Sequence, residues 1–148
     1  MADLSKALSA ASSAINIEIS ALSKFAEKLE SNLKPALEII LASQGHVVIT
    51  GLGKSGLVGA KIAATLASTG TPSFFMHSGD ALHGDSGALT SGDVLIAISN
   101  SGETAEVCAI AKMAKGWGNP TIAITKASNS TLAKNCDAVI NISFDKEA

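Results

Sequence analysis

The sequence has no tyrosine and a single tryptophan, and aromatic residues make up 3% of its 148 positions. Without large rings, the core must be filled by aliphatic side chains, which lets helices lie close against a sheet. Cysteine is also scarce. Cys108 and Cys136 are the two present, too few for a disulfide framework or a thiolate metal cluster, and they fit a reducing, cytoplasmic setting. As small apolar residues, both are accounted for by burial alone. Charge of one sign is missing too: 11 Lys and Arg stand against 13 Asp and Glu, a net charge of -2. Such a chain has no basic field, which excludes nucleic acid as the expected partner. No apolar run approaches the roughly 20 residues that span a bilayer, so a membrane is not expected either. The opening MADLSKALSA lacks the basic-then-apolar order of a secretory leader.

What is present is a chain 47% hydrophobic and rich in alanine, long enough for one domain with a substantial core. Residues 3–30 read as one long helix, because Leu4, Leu8, Ala11, Ile15, Ile19, Leu22 and Leu29 recur at spacings of three, four or seven. Ser31-Asn32 interrupts, and a second helix is predicted over 33–43 with Pro35 in its first turn. A stripe this long needs cover, either from the chain's own sheet or from another subunit. From His46 the pattern changes: HVVIT, PSFFM, VLIAIS, PTIAIT and AVINIS alternate with helical stretches over 55–68, 104–115 and near Leu132. Near-continuous Val/Ile strands separated by helices predict an α/β fold. The expected form is a doubly wound, five-stranded parallel sheet with helices on both faces, preceded by N-terminal helices over 1–44. Ligands in such folds sit beyond the carboxyl ends of the strands.

The stretch Gly51-Leu52-Gly53-Lys54-Ser55-Gly56 matches the dinucleotide pattern G-x-G-x-x-G between a strand and a helix. A dinucleotide site also needs a carboxylate about 20 positions on, at the end of the second strand, to hold a ribose. TPSFFMH, residues 71–77, offers none. A P-loop is excluded as well, since its upstream glycine position holds Val48. What remains is a turn presenting the Lys54 ammonium, the Ser55 hydroxyl and free N–H groups, a site for an anion or oxyanion. A second such corner is Ser99-Asn100-Ser101-Gly102-Glu103-Thr104, where three hydroxyls and a glycine open a helix and make a neutral cradle for phosphate. Trp117 is read as packing and His46 as the opening of a strand.

GLGKSG, ASTGTPSFFMH, LHGD, VLIAISNSGE and the terminal KEA resemble the sugar isomerase (SIS) domain of bacterial arabinose-5-phosphate isomerases, from about Gly45 onward. That resemblance implies an aldose–ketose isomerase interconverting D-arabinose 5-phosphate and D-ribulose 5-phosphate through an enediol, in supply of the Kdo sugar of lipopolysaccharide. It implies Lys54, Glu106 and Glu147 as catalytic residues and His83 as a catalytic and substrate-contacting one. It also implies Gly70 and Thr71 as substrate contacts, and Ser55, Ser99, Asn100, Ser101, Gly102 and Thr104 as the phosphate cradle. His77 matches a position associated with zinc; one histidine is not a zinc site, Asp80, His83 and Asp85 lie nearby as further donors, and a hydrogen-bonding histidine at a strand end is the other reading. No other cofactor is implied, and the expected assembly is a dimer or tetramer. Family members normally continue beyond the point matching Ala148 with a further helix, a histidine and often a pair of CBS domains. A non-catalytic phosphosugar-binding domain, or an isomerase of another sugar phosphate, is therefore the alternative.

Overall fold

A computed structural model describes residues 3–146. The expected strands form as β1 (Val47–Gly51), β2 (Ser73–His77), β3 (Val94–Ile98), β4 (Thr121–Thr125) and β5 (Ala138–Asn141). They make one parallel sheet in the order β2-β1-β3-β4-β5. Side chains alternate across it with the period of two that a strand imposes. Val48, Leu95, Ala97 and Ala123 point to one face, where they meet α4 (Ser78–Ala81), α5 (Ala105–Gly116) and α6 (Thr131–Asn135) through Ala81, Ile110, Ala114 and Leu132. Val47, Ile49, Val94, Ile96 and Ile122 point to the other, against Ala36 of α2 (Leu29–Ala42) and Ala63 of α3 (Gly53–Ser68). This is the doubly wound α/β architecture, with alanines at the helix–sheet contacts where ring-poor packing requires them.

The N-terminal part differs from expectation in two ways. α1 (Leu4–Glu27) ends at Lys28, whose N–H donates to Phe25 O, and α2 begins at Leu29. The break therefore precedes Ser31-Asn32, and Pro35 lies inside α2 instead of in its first turn. Second, the apolar stripe of α1 does not pack on the chain's own sheet. Leu4, Leu8, Ile15, Ile19 and Leu22 are 56–72% exposed. α4 and a short 3-10 turn over Asp85–Ala88 escape sequence reading because neither is long enough to show a helical period. Trp117 caps α5 and is 54% exposed, so it is not a core residue. His46 does open β1.

The amino edge of the sheet is tied by a buried carboxylate. Asp93 Oδ1 accepts from His46 N–H at 2.6 Å, and Oδ2 accepts from Thr90 N–H at 2.7 Å and from its hydroxyl at 2.9 Å. Burial pushes the Asp93 carboxyl up, but these donors outweigh it and hold it below the ordinary value. A depressed folded-state value means that the stabilisation is present above the unfolded carboxylate range and is lost as pH falls through the folded value. Asp93→Ala is expected to cost about 2–4 kcal/mol in urea unfolding at neutral pH, because it strands the N–H groups of His46 and Thr90. Asp93→Asn should flatten the fall in stability below about pH 4 that the parent shows.

Candidate functional site

The strand order reverses between β1 and β3. These strands are neighbours, with Gly51 level with Ile98, but the helices that follow them leave to opposite faces. α3 joins the Ile49/Ile96 layer and α5 the Leu95/Ala97 layer. At the carboxyl edge this opens a crevice between two helix N-termini, the usual ligand position in such sheets.

The first corner follows β1. Gly53 has a positive φ of 56° and opens α3, so Lys54 and Ser55 stand in the helix's first turn instead of in a loop before it. A Cβ on Gly51 would come within 3.1 Å of Gly56 N, and one on Gly56 within 3.1 Å of Gly51 O. These two glycines of the fingerprint let the helix lie against the strand end, which explains the pattern without a nucleotide. Leu52 provides no side-chain cap, so the first-turn N–H groups of α3 are left for another acceptor. Lys54 is exposed and forms no ion pair among the described residues.

The second corner follows β3. Its carbonyls turn back into the fold: Asn100 O accepts from Lys126 N–H and the Thr125 hydroxyl at 3.2 Å each, and Gly102 O accepts from Leu132 N–H at 3.0 Å. With these two carbonyls fixed inward, Ser101 stands exposed and Thr104 half-buried at the start of α5. Ser99 Oγ and Thr104 Oγ1 lie 2.8 Å apart, and Gly102 N–H donates to Ser99 Oγ. Thr104 occupies the N-cap of α5 without capping it, leaving first-turn donors for an anion. Glu106 stands half-buried in that first turn.

The remaining candidates divide by position. His83, exposed, follows α4 with its N–H donating to Asp80 O at 2.9 Å, on the carboxyl side of β2. His77 ends β2 level with Gly51. Its Nδ1 lies 3.4 Å from Asp80 Oδ2, and no group of three or more His, Cys, Asp or Glu converges among the described residues. Zinc binds through three or four protein ligands, so His77 and Asp80 do not by themselves fit it. Gly70 and Thr71 precede β2 at the amino edge. α3, 16 residues long, carries the chain about 24 Å between the two edges. This chain therefore does not bring Gly70 and Thr71 to the serine corner. Glu147 lies outside the described residues.

Sequence reading missed several polar groups here. Thr50 Oγ1 in β1 and Ser78 Oγ just after β2 are buried without a protein partner among the described residues. The contact of the serine corner with α6, made through Glu103 on one side and Ser130 on the other, was also missed. It joins loops 28 positions apart, which no local pattern shows.

The SIS domain family model matches residues 40–148. An arabinose 5-phosphate isomerase, KdsD, of Francisella tularensis is 49% identical over 135 residues, which is 89% of this chain and 41% of that protein. An arabinose 5-phosphate isomerase, KpsF, of Escherichia coli O6:H1 is 51% identical over 128 residues, 86% of this chain and 39% of that one. The chain thus spans about two fifths of the length of these relatives. An E. coli CFT073 protein solved in complex with arabinose 5-phosphate superimposes with a TM-score of 0.91 at 38% identity, covering 99% of this chain and 78% of that one.

The serine corner depends on Gly102, where φ is 69° and an added Cβ would collide with the Ser130 side chain. Gly102→Ala should destabilise the protein by about 2–4 kcal/mol, from the left-handed backbone plus the clash. Urea unfolding of the variant beside the parent measures the loss.

Proposed function

The chain belongs to the SIS domain family, and on that premise we propose that it carries the phosphosugar-binding and isomerising core of an arabinose 5-phosphate isomerase. One observation carries the proposal. Two helix N-termini with free donors, one bearing Lys54 and the other the Ser99–Thr104 hydroxyls, flank the crevice between β1 and β3. Two relatives at about half identity are named for this activity, and the solved relative holding arabinose 5-phosphate supports the same ligand class.

In this reading the phosphate monoester seats against Ser99, Ser101, Thr104 and the first turn of α5, with Ser55 opposite. The open-chain sugar extends toward Lys54. Glu106 takes the proton from C2 of the aldose as electrons move toward the C1 carbonyl, and Lys54 stabilises the oxyanion that develops there. The C2 hydroxyl gives up its proton as the C1 oxyanion takes one up, and returning the abstracted proton to C1 completes the ketose, with no external oxidant or reductant. His83 assists ring opening, and Glu147 is the second carboxylate of the acid–base pair. No step is routed through a metal, because the His77–Asp80 donors fall short of a zinc site.

The assembly proposed is a homo-oligomer, dimer or tetramer. The exposed stripe Leu4, Leu8, Ile15, Ile19 and Leu22 is what a second subunit would cover. No described helix is long and apolar enough to cross a membrane. A cytoplasmic enzyme supplying the Kdo branch of lipopolysaccharide synthesis is the setting that fits these relatives.

Purified protein incubated with arabinose 5-phosphate should form ribulose 5-phosphate. Lys54→Ala and Glu106→Gln should each lower kcat/KM by roughly 100-fold or more while leaving the fold intact by circular dichroism. A folded chain with no turnover overturns the isomerase reading; if it still binds the ester, the binding-domain alternative replaces it. Leu8→Glu combined with Ile15→Glu should lower the mass measured by light scattering to that of a smaller species, and an unchanged mass removes α1 from the interface.

A further inference from the structure

We infer that Glu103 is a positioning residue of the serine corner, a clip whose carboxylate holds the loop to the first turn of α6 so that Ser99, Ser101 and Thr104 face the phosphate. The inference rests on the phosphosugar reading above and adds a residue to it.

The geometry is specific. Glu103 Oε1 accepts from Thr131 N–H at 2.9 Å, and Thr131 is the first residue of α6. The next N–H, of Leu132, donates to Gly102 O at 3.0 Å, and the one after, of Ala133, donates to Ser130 Oγ at 3.3 Å. Two consecutive donors of α6 are therefore spent on two consecutive residues of the serine corner. α6 has only five residues, and its first turn is given over to this grip instead of to a ligand.

The grip is needed because of how the loop is built. Gly102 crosses Ser130 so closely that no side chain fits, its backbone is left-handed, and the next residue, Glu103, is bonded to α6. Glu103 N–H is in turn taken by Ser101 Oγ at 3.2 Å, so the residue that clips the loop also fixes one of the cradle hydroxyls. The charge matters as well. An unneutralised carboxylate this close in sequence to the cradle would repel a phosphate dianion. Thr131, through its hydroxyl and N–H, holds the Glu103 carboxyl below the ordinary value, with Lys134 adding to the effect. The negative charge is directed at α6 rather than at the ligand.

The test combines two substitutions that remove the same bond from either side. Glu103→Ala removes the acceptor. Thr131→Pro removes the donor at a first helical position, where proline is tolerated, after a Ser130 already extended at φ −68° and ψ 165°. Each should raise KM for arabinose 5-phosphate about tenfold, the worth of one charge-assisted hydrogen bond, with kcat within about twofold of the parent. The double variant should be no worse than either single one, as for two halves of one interaction. Glu103→Gln, which keeps an acceptor oxygen, should restore KM to within about threefold of the parent. In the same proteins, hydrogen exchange at the amides of residues 99–104 should quicken in Glu103→Ala and Thr131→Pro and not in Glu103→Gln. Unchanged exchange, additive effects, or a Glu103→Gln variant as impaired as Glu103→Ala overturns the clip. If the parent shows no turnover, the isomerase reading fails and the exchange arm still decides the clip.

Discussion

The reversal of strand order between β1 and β3 governs the rest of the molecule. It sends α3 and α5 to opposite faces while their strands stay paired, with Gly51 level with Ile98. Two helix N-termini then point at one gap, and each brings about half a positive charge and several unpaired N–H groups. The dipoles explain why the site suits an anion even though the chain as a whole is slightly acidic. They also explain why the corner loops carry hydroxyls and one lysine instead of an arginine cluster.

Small residues make that gap narrow enough to work. Gly51 and Gly56 allow α3 to meet the end of β1, Gly59 lets it continue past Ile49 and Phe75, and alanines line α5 against Leu95. A chain richer in aromatics would hold these helices further from the sheet, and the two N-termini would diverge. The scarcity of rings in the composition and the closeness of the two corners are one fact seen at two scales.

The sequence therefore made the sheet legible almost completely, because β-branched runs without polar interruption have few alternatives once helices alternate with them. Lys54 and the Ser99–Thr104 corner were legible for the same reason, as each directly follows a strand. Gly70 and Thr71 stand at the other edge from that corner within this chain, a separation set by the length of α3 that no local motif displays. The α1 stripe was visible as a pattern while its cover was not: periodicity reports that a face is apolar and says nothing about what meets it. The roles of Glu103 and Ser130 escaped for another reason, as the contact between loop and α6 is found only through the left-handed turn at Gly102.

The two edges of the sheet handle their polar groups in opposite ways. At the amino edge, carboxylates satisfy the strand-opening donors: Asp93 takes the N–H of His46, and Asp137 takes that of Thr121 at 2.9 Å with Lys115 at 2.8 Å from its other oxygen. At the carboxyl edge, carbonyls are tied inward, the helix donors of α3 and α5 are left without caps, and Thr50 and Ser78 keep buried hydroxyls unpaired among the described residues. The satisfied donors thus gather at the amino edge and the uncapped helix donors at the carboxyl edge, which is the arrangement the proposed phosphate site requires. A substitution that adds a cap to α5, such as Thr104→Asp, follows this logic in reverse: it satisfies the helix from within and places a carboxylate where the proposed phosphate site lies, so the protein should melt at a higher temperature while thermal shift by arabinose 5-phosphate is lost.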